Sequence, residues 1–416
     1  MPLVHTEHLD TGITLLIEPM PGVRSAAITF AVPAGLTSEP GGRLGTASVM
    51  SEVLMRGGAG MDSRTLADAF DHAGCTRSIS AGTRSMTFRG TTIGDRLGEG
   101  IELFSRIIRE PRVEHATVDP AKSLSLQTLD SLSDEPRERA SLELRRRHMP
   151  EPYNRSSFGE RAGIEALTAD DLAAWWHSRA VPGGTIIGVA GAIDPPRVID
   201  QLNAVFDGWQ GSVDDIEPTG APERGTGHID DDSNQVQVLA MFEVPSERNE
   251  HAAIREKLAG SVLSGGMSGR LFTEVREKRG LCYAVSAGYR GDDRFGALSA
   301  YVGTTPARAQ ESLDVLTAEL RRIRTPEGAV TADEFERART GMRANIVFHG
   351  ESTAARASAL VADYQKLGRA RTLDEMTAAI DAVTLESLNE HLAKTPLGGA
   401  TLQTLGPKEL TPPDGY

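Results

Sequence analysis

An arginine and a tyrosine in the second half of the chain have the chemistry to bind a peptide carbonyl. The charged segment "RLFTEVREKRG" predicts an amphipathic helix that contains Arg276 and ends at Gly280, and the next run, "CYAVSAGY", predicts a strand that contains Tyr283. A helix that folds back on a strand could bring both side chains to one surface. A guanidinium beside a phenol suits binding of a carbonyl, or of the oxyanion that forms on it. The same residues also allow an ordinary surface arginine and a half-buried strand tyrosine.

A second polar group lies in the first half of the chain. The stretch "GTASVMSEVLMRGG" (45–58) predicts one amphipathic helix closed by a glycine pair. Ser48, Ser51 and Glu52 occupy positions i, i+3 and i+4, so their side chains share one face of this helix. On the residues alone, this face is either a modest polar site or the remnant of a site.

Composition excludes several classes of function. The chain has 416 residues, 39% hydrophobic and 25% charged, with a net charge of −14, which argues against binding to nucleic acid. We expect a solvated acidic surface, the alternative being an acidic interior that selects basic peptides. No run of residues is long and apolar enough for a membrane helix, and no secretory signal is recognisable, so we expect a cytoplasmic protein without membrane contact. The two cysteines, Cys75 and Cys282, are expected to be buried apolar residues.

The chain contains two copies of one structural unit. The segment "EALTADDLAAWWHSRAVPGG" returns near the C-terminus as "DAVTLESLNEHLAKTPLGG", and the segments around Cys75 and Cys282 also correspond. Between the halves, Gly, Pro and acidic residues replace any apolar period. We therefore predict two homologous domains, 1–212 and 228–416, joined by a linker at 213–227.

The order of predicted elements favours an α+β fold. Strands and helices do not alternate strictly, so each domain is expected to be a mostly antiparallel sheet covered on one face by helices. Thr331 and Glu334 form a capping-box pattern that predicts the start of a long helix, Thr331 to His349.

The run "SGGMSGRLFTEVREKRGLCYAVSAGY" resembles the C-terminal domain of the insulinase or pitrilysin family of zinc peptidases, in particular the compact bacterial members related to the mitochondrial processing peptidase. The likeness extends over nearly the whole chain. It implies tandem α+β halves, and it implies that Arg276 and Tyr283 reach into a peptide chamber and contact substrate near the metal. Their seven-residue separation matches the family pattern.

The resemblance also locates a missing zinc site. Active relatives carry His-x-x-Glu-His on a helix of the first domain and a further Glu later in the chain. Here "SVMSE" occupies the motif, with Ser48 and Glu52 at the histidine positions and Ser51 at the general-base position, and the later Glu position is assigned to Gln127. Hydroxyls, a carboxamide and one carboxylate do not make a zinc site, so no metal is expected in this chain.

Other metal sites are weakly indicated. The close histidine pair His5 and His8 lies on an expected first strand, away from the implied chamber. A self-sufficient peptidase with an unfamiliar metal site is therefore the least favoured of three hypotheses.

Two other functional hypotheses are favoured over a self-sufficient peptidase. In the first, the chain is the non-catalytic subunit of a heterodimeric zinc peptidase: a homologous partner holds zinc, and this chain supplies Arg276 and Tyr283 to the peptide substrate. In resembling bacterial systems one chain keeps the zinc motif and its partner keeps the Arg and Tyr. In the second, the chain is a scaffold or binding protein without peptidase activity in any assembly, as relatives in respiratory complexes are. In isolation the chain could pair with itself through the same faces.

Overall fold

The computed structural model describes residues 4–413, so the outermost residues of the two predicted domains, 1–3 and 414–416, lie outside the described residues. The first half contains the following elements: β1 (His5–His8), β2 (Thr14–Pro19), β3 (Ser25–Val32), α1 (Thr46–Leu54), β4 (Gly57–Gly58), β5 (Met61–Asp62), α2 (Ser63–His72), β6 (Ser78–Ala81), β7 (Met86–Ile93), α3 (Leu97–Arg109), α4 (His115–Ser131), α5 (Pro136–His148), α6 (Arg161–Ala166), α7 (Ala169–Arg179), β8 (Ile186–Gly191) and α8 (Pro195–Phe206).

The second half begins with β9, inside the stretch 213–227 that the sequence suggested as a linker. Its elements are β9 (Gly225–Asp230), β10 (Val236–Val244), α9 (Glu250–Ser264), a π-helix (Phe272–Glu277), β11 (Cys282–Gly291), β12 (Gly296–Thr304), α10 (Ala309–Arg322), α11 (Ala332–Gly350), α12 (Thr353–Leu367), α13 (Leu373–Asp381), α14 (Leu385–Lys394) and β13 (Gly398–Gly406). Among the described residues, no helix is both long enough and apolar enough to cross a bilayer.

The two halves build sheets of the same topology. The first-half sheet has the strand order β6-β7-β3-β8-β2-β1, and the second-half sheet has the order β11-β12-β10-β13-β9. The parallel pairs, β8 with β2 and β13 with β9, occupy equivalent places, and the neighbouring pairs are antiparallel. The predicted α+β fold with two homologous, mostly antiparallel halves is confirmed.

Each sheet packs its own helices on one face. In the first half, Phe30 of β3 and Phe88 of β7 surround Phe104 of α3, with ring centroids 5.7 and 6.4 Å from that of Phe104. In the second half, Leu298 and Val302 of β12 are fully buried in the same cluster as helical leucines such as Leu313. Burial of large apolar side chains like these, at about 1.5–3 kcal/mol each, is the main force that holds each half together.

The opposite face of each sheet is covered by a helix from the other half. α5 lies on the second-half sheet, where Ala140 and Leu144 pack against Leu239 and Leu405. α12 lies on the first-half sheet, where Ala357 packs against two alanines, Ala27 and Ala190. The approach is so close that a Cβ on Gly188 would lie 2.4 Å from the carbonyl oxygen of Ala357. The sequence predicted helices on one face only, so this exchange is a structural finding.

Two ion pairs reinforce the exchange. Glu18 of β2 and Arg356 of α12 are both about 2% exposed and are joined at 2.7 Å. Arg84, in the β6–β7 turn, pairs at 2.8 Å with Asp293 in the β11–β12 turn, so the equivalent hairpin tips of the two halves meet. The halves are therefore joined by charged contacts as well as by apolar ones.

Several local features that the sequence indicates are present in the structure. Thr331 and Glu334 form the capping box that starts α11, and the repeated threonines Thr168 and Thr384 cap α7 and α14. Both cysteines are buried free thiols. The helix α1 is shorter than the sequence predicted. It ends at Leu54, and the glycine pair 57–58 forms the short strand β4, which pairs with β5.

Candidate functional site

The polar face of α1 is assembled as the sequence predicts. Ser48, Ser51 and Glu52 are all half-buried on this helix, which packs against α4. The chain enters α1 through Gly45, whose φ of 111° is a left-handed conformation that suits glycine. Glu39 accepts hydrogen bonds from the backbone N–H groups of Gly45 and Ala47, at 3.2 and 2.8 Å, and so caps the start of the helix.

The residues of this face do not fit a zinc ion. The Ser51 hydroxyl donates to the main-chain carbonyl of Ser48 at 2.7 Å, which leaves it a weak neutral group, and Glu52 is the single carboxylate of the three. Gln127 is exposed on α4, two residues from the buried Ser125, and none of the described hydrogen bonds joins it to the α1 face. Within residues 4–413, no group of three or more His, Cys, Asp or Glu side chains is placed to hold a metal.

The histidine pair at the start of the chain also lacks the geometry of a metal site. His5 and His8 lie on β1, opposite Ile17 and Thr14 of β2, and all four residues of this strand are exposed. Residues three apart in a strand point to opposite faces of the sheet. The two imidazoles therefore do not converge.

In the second half, the structure brings Arg276 and Tyr283 together. The predicted helix that carries Arg276 is wound as a π-helix over Phe272–Glu277, with a hydrogen bond of 3.0 Å from the backbone N–H of Lys278 to the carbonyl of Thr273, five residues earlier. Single turns of π-helix occur frequently at functional sites. Gly280, with φ of 61°, then reverses the chain into β11.

Tyr283 is the extra residue of a β-bulge. Cys282 lies opposite Thr304 of β12 and Ala284 lies opposite Gly303, so Tyr283 has no partner residue of its own in the ladder. The bulge turns the side chain outward: Tyr283 is 69% exposed, an unusual position for so large a ring. The phenol is consequently available to a ligand.

A hydrogen bond fixes the bulge. Nη1 of Arg276 donates to the main-chain carbonyl of Tyr283 at 3.0 Å. The guanidinium also lies over the ring of Phe272, with Cζ 4.9 Å from the centroid. Arg276 therefore holds the backbone of Tyr283, while the phenol itself can donate to a carbonyl or an oxyanion. The structure thus places the Arg276 guanidinium against the backbone of Tyr283, and a shared ligand contact of the two side chains stays a prediction.

A large cavity lies between the halves, further along β11 from this pair. Its volume is about 990 Å³, and it is lined by the β6–β7 turn, α5, β11 and β12. On β11 the lining extends from Ser286 to Gly291, so it begins about 10 Å along the strand from Tyr283. Three residues that line the cavity were not predicted from the sequence: Arg137, Arg145 and Arg290. The arginine-rich run "PRERASLELRRRH" was the available signal, but it does not tell which surface the helix meets.

Comparisons with known proteins agree with this architecture. Residues 166–342 match the family model described as the peptidase M16 inactive domain. The chain is 26% identical, over 422 residues, to an uncharacterized zinc protease of Mycobacterium tuberculosis, with 97% of this chain and 94% of that protein covered.

Solved structures show the same fold. A peptidase M16 inactive domain from Pseudomonas fluorescens superposes with a TM-score of 0.87 at 20% identity, covering 99% of both chains. A chain of complex III2 from Candida albicans superposes with a TM-score of 0.82 at 15% identity, covering 97% of this chain and 96% of that one.

The tandem α+β halves are those of M16-like structures, and the residues of the α1 face do not fit a zinc ion. The match of residues 166–342 to the peptidase M16 inactive domain and the likeness to zinc proteases and M16 structures support the predicted resemblance to insulinase-like peptidases. The segment 166–342 of this chain, which contains Arg276 and Tyr283, is of the type described as inactive.

Proposed function

We propose that this chain is the non-catalytic, substrate-binding subunit of a heterodimeric zinc peptidase that processes or degrades peptides. The partner is a homologous chain that carries zinc and the general base. This chain contributes Arg276 and Tyr283 to the bound peptide. No step of the reaction is assigned to the α1 face, because its residues do not fit the metal.

One observation carries the proposal: the phenol of Tyr283 is 69% exposed on a bulge whose carbonyl is held by Arg276. Exposure of an aromatic ring on a rigid backbone fits a role in ligand contact better than a role in packing. A phenol in this setting can stabilise the negative charge that develops on a peptide carbonyl oxygen when it is attacked. Since the backbone is fixed beforehand, little ordering is needed when substrate binds.

The lack of zinc ligands on α1 supports the assignment of zinc binding and substrate binding to two different chains. A catalytic zinc usually has three protein ligands and an open position, and the α1 face supplies one carboxylate, that of Glu52. Similarity to chains described as uncharacterized zinc proteases supports the expectation that the partner is a homologous chain that binds zinc. The peptide specificity of the assembly then depends on both chains.

Reconstitution tests the proposal. The chain is purified alone, and then together with a homologue from the same genome that contains His-x-x-Glu-His, and each preparation is assayed for zinc content and for cleavage of an unstructured peptide. We expect about one zinc per heterodimer, none in the isolated chain, and cleavage by the pair only. About one zinc per isolated chain, with chelator-sensitive cleavage, would instead assign the activity to this chain alone.

A scaffold is the second candidate function, because a chain of complex III2 from Candida albicans has the same fold. In this case the chain would assemble with a partner but add nothing to catalysis. The test is the variant pair Tyr283→Phe and Arg276→Ala in the reconstituted assembly. A scaffold predicts full activity for both variants.

Two further parts of the proposal concern the state of the protein in the cell. A cytoplasmic location is expected and can be checked by fractionation. In the absence of its partner, the chain could pair with itself through the same faces, and light scattering of the isolated and mixed chains distinguishes the two assemblies.

A further inference from the structure

The cavity between the halves has a charge opposite to that of the protein. The chain as a whole carries a net charge of −14. The cavity is lined by four arginines, Arg137, Arg145, Arg155 and Arg290, but by only two carboxylates, those of Glu138 and Asp292. A positively charged cavity in an acidic protein concentrates anionic ligands.

Two of these charged groups are already engaged by the fold. Arg155 donates to the main-chain carbonyls of Leu36, Thr37 and Glu39 and pairs with Glu151. The Oδ1 atom of Asp292 accepts hydrogen bonds from the N–H groups of residues 294 and 295 and so closes the β11–β12 turn. The Glu138 and Asp292 carboxylates keep their charges, so with Arg155 paired to Glu151 the three remaining arginines leave the cavity lining with a net charge of about +1.

Within the described part of the chain, the other three arginines lack a carboxylate at ion-pair distance. Arg137 is exposed on α5, with Cζ 4.0 Å from the centroid of the Tyr301 ring. Arg145, further along α5, donates to the carbonyl of Tyr153 at 3.1–3.2 Å and to the hydroxyl of Thr83 at 2.9 Å. Both guanidiniums are positioned by neutral groups, so an incoming carboxylate need not displace an existing one.

Arg290 adds the third charge from the facing strand. Arg290 is exposed on β11, the edge strand of its sheet, and by strand alternation it shares a face with Ser286 and Gly288, which also line the cavity. Burial lowers the pKa of Arg145, Asp292 opposes this effect, and the positive charge of Arg290 adds to it, so the two guanidiniums repel one another. An anion placed between them would remove this repulsion.

We infer that this cavity binds an extended peptide segment with acidic side chains, whose carboxylates pair with Arg290, Arg145 and Arg137. The inference rests on the proposed function, because it names the class of peptide that the subunit selects. It argues against the alternative of an acidic interior that selects basic peptides. Guanidiniums bind carboxylates in a bidentate geometry, so the selection of acidic peptides depends on hydrogen-bond geometry as well as on charge.

Peptide binding to the full isolated chain tests this inference. The probes are two fluorescein-labelled peptides, one of alternating glutamate and alanine and one of alternating lysine and alanine, measured by fluorescence anisotropy at low and at physiological salt. We expect the glutamate peptide to bind about tenfold more tightly or better, with an advantage that shrinks as salt is added.

Matched variants locate the site. Arg290→Gln and Arg137→Gln both change exposed side chains and are each expected to weaken binding of the glutamate peptide about three- to tenfold, and Arg290→Glu is expected to shift the preference toward the lysine peptide. Arg106→Gln on α3, outside the cavity lining, removes the same charge and is expected to leave both affinities unchanged. Circular dichroism of each variant verifies that it is folded.

Three results would overturn the inference: equal or tighter binding of the lysine peptide, binding of neither peptide, or binding of the glutamate peptide that the cavity variants do not change. Displacement of the glutamate peptide by inorganic polyphosphate at lower concentration would also overturn it, in favour of a general anion site. The proposed function is decided separately, by cleavage of an uncharged peptide in the reconstituted pair.

Discussion

The guanidinium of Arg276 donates to the main-chain carbonyl of Tyr283, and not to its phenol, over 3.0 Å. The bond links the end of a π-helix to the bulge of an edge strand, two irregular elements that pack against one another. The two residues therefore differ in their contacts: Arg276 holds the backbone of the strand, and Tyr283 is exposed, as the proposed peptide contact requires.

Replacement of Arg276 tests this division. Arg276→Ala removes an exposed hydrogen bond, so we expect the free energy of unfolding to change by less than about 1 kcal/mol. In the reconstituted pair, turnover is expected to fall about tenfold or more because the bulge is no longer fixed. Chemical denaturation and peptide cleavage measure the two effects. A large loss of stability with unchanged turnover would make Arg276 a structural residue.

The buried ion pair between Glu18 and Arg356 is expected to secure α12 on the first-half sheet. Arg356→Met leaves a buried carboxylate without its partner, and we expect a loss of about 3–5 kcal/mol in the free energy of unfolding. The double variant Glu18→Gln with Arg356→Met should recover most of this loss, because no buried charge remains. Urea denaturation of the single and double variants provides the measurement. Equal destabilisation by both would show that packing, rather than charge, holds the helix.

Glu39 predicts a pH dependence of stability at the start of α1. Burial raises its pKa from 4.5 to about 7 against the opposing hydrogen bonds from Ala47 and Gly45, and its second oxygen has no hydrogen-bond partner in the structure. The native state then holds a proton that the unfolded state loses, so stability falls as the pH rises from about 4.5 to about 7 and levels off above. The expected loss is roughly 3 kcal/mol.

Glu39→Gln is the matched variant, since an amide can accept the same backbone hydrogen bonds without ionising. The difference in unfolding free energy between wild type and Glu39→Gln, measured from about pH 4 to about pH 8, should grow in favour of the variant across this interval. A difference that does not vary with pH would contradict the raised pKa.

His148 predicts the opposite dependence where α5 meets the second-half sheet. Burial lowers its pKa to about 4, with a further contribution from Arg224, and its Nδ1 lies 2.9 Å from the hydroxyl of Thr401 on β13. The unfolded state binds a proton that the native state excludes, so stability is lost as the pH falls from about 6.5 to about 4. The expected loss is roughly 3 kcal/mol.

The effect of His148 overlaps in pH with that of Glu39 and opposes it, so the wild-type curve alone does not separate them. In the Glu39→Gln background, His148→Gln should flatten the acid side of the stability profile, and hydrogen exchange should show that wild-type α5 loses protection first as the pH is lowered. Uniform loss of protection over the chain would place the acid-sensitive group elsewhere.

The sequence predicted the local structure of the candidate site because local rules determine it. The spacing of Ser48, Ser51 and Glu52 follows from helical geometry, and Gly280 indicates the reversal between Arg276 and Tyr283. The capping box at Thr331 is likewise a contact between near neighbours in the chain. Such features need no knowledge of distant residues.

The features that the sequence did not predict depend on contacts between the halves. α5 buries two small or medium apolar residues, Ala140 and Leu144, against a sheet that begins far along the chain, and its many arginines hide this apolar stripe. The bulge at Tyr283 appears only when β11 is paired with β12. The charge of the cavity likewise arises because α5 and β11 come together, so the acidic composition gave no indication of it.

The central claim is that the Tyr283 hydroxyl acts on a peptide bound at another chain's zinc site. The most direct measurement is the turnover of the reconstituted heterodimer with wild type or Tyr283→Phe, which differ by one exposed oxygen atom, using Tyr364→Phe on α12, outside the cavity lining, as the matched control. We expect kcat to fall about ten- to a thousandfold for Tyr283→Phe with assembly intact, and to change little for the control. Unchanged kcat for Tyr283→Phe would contradict the claim.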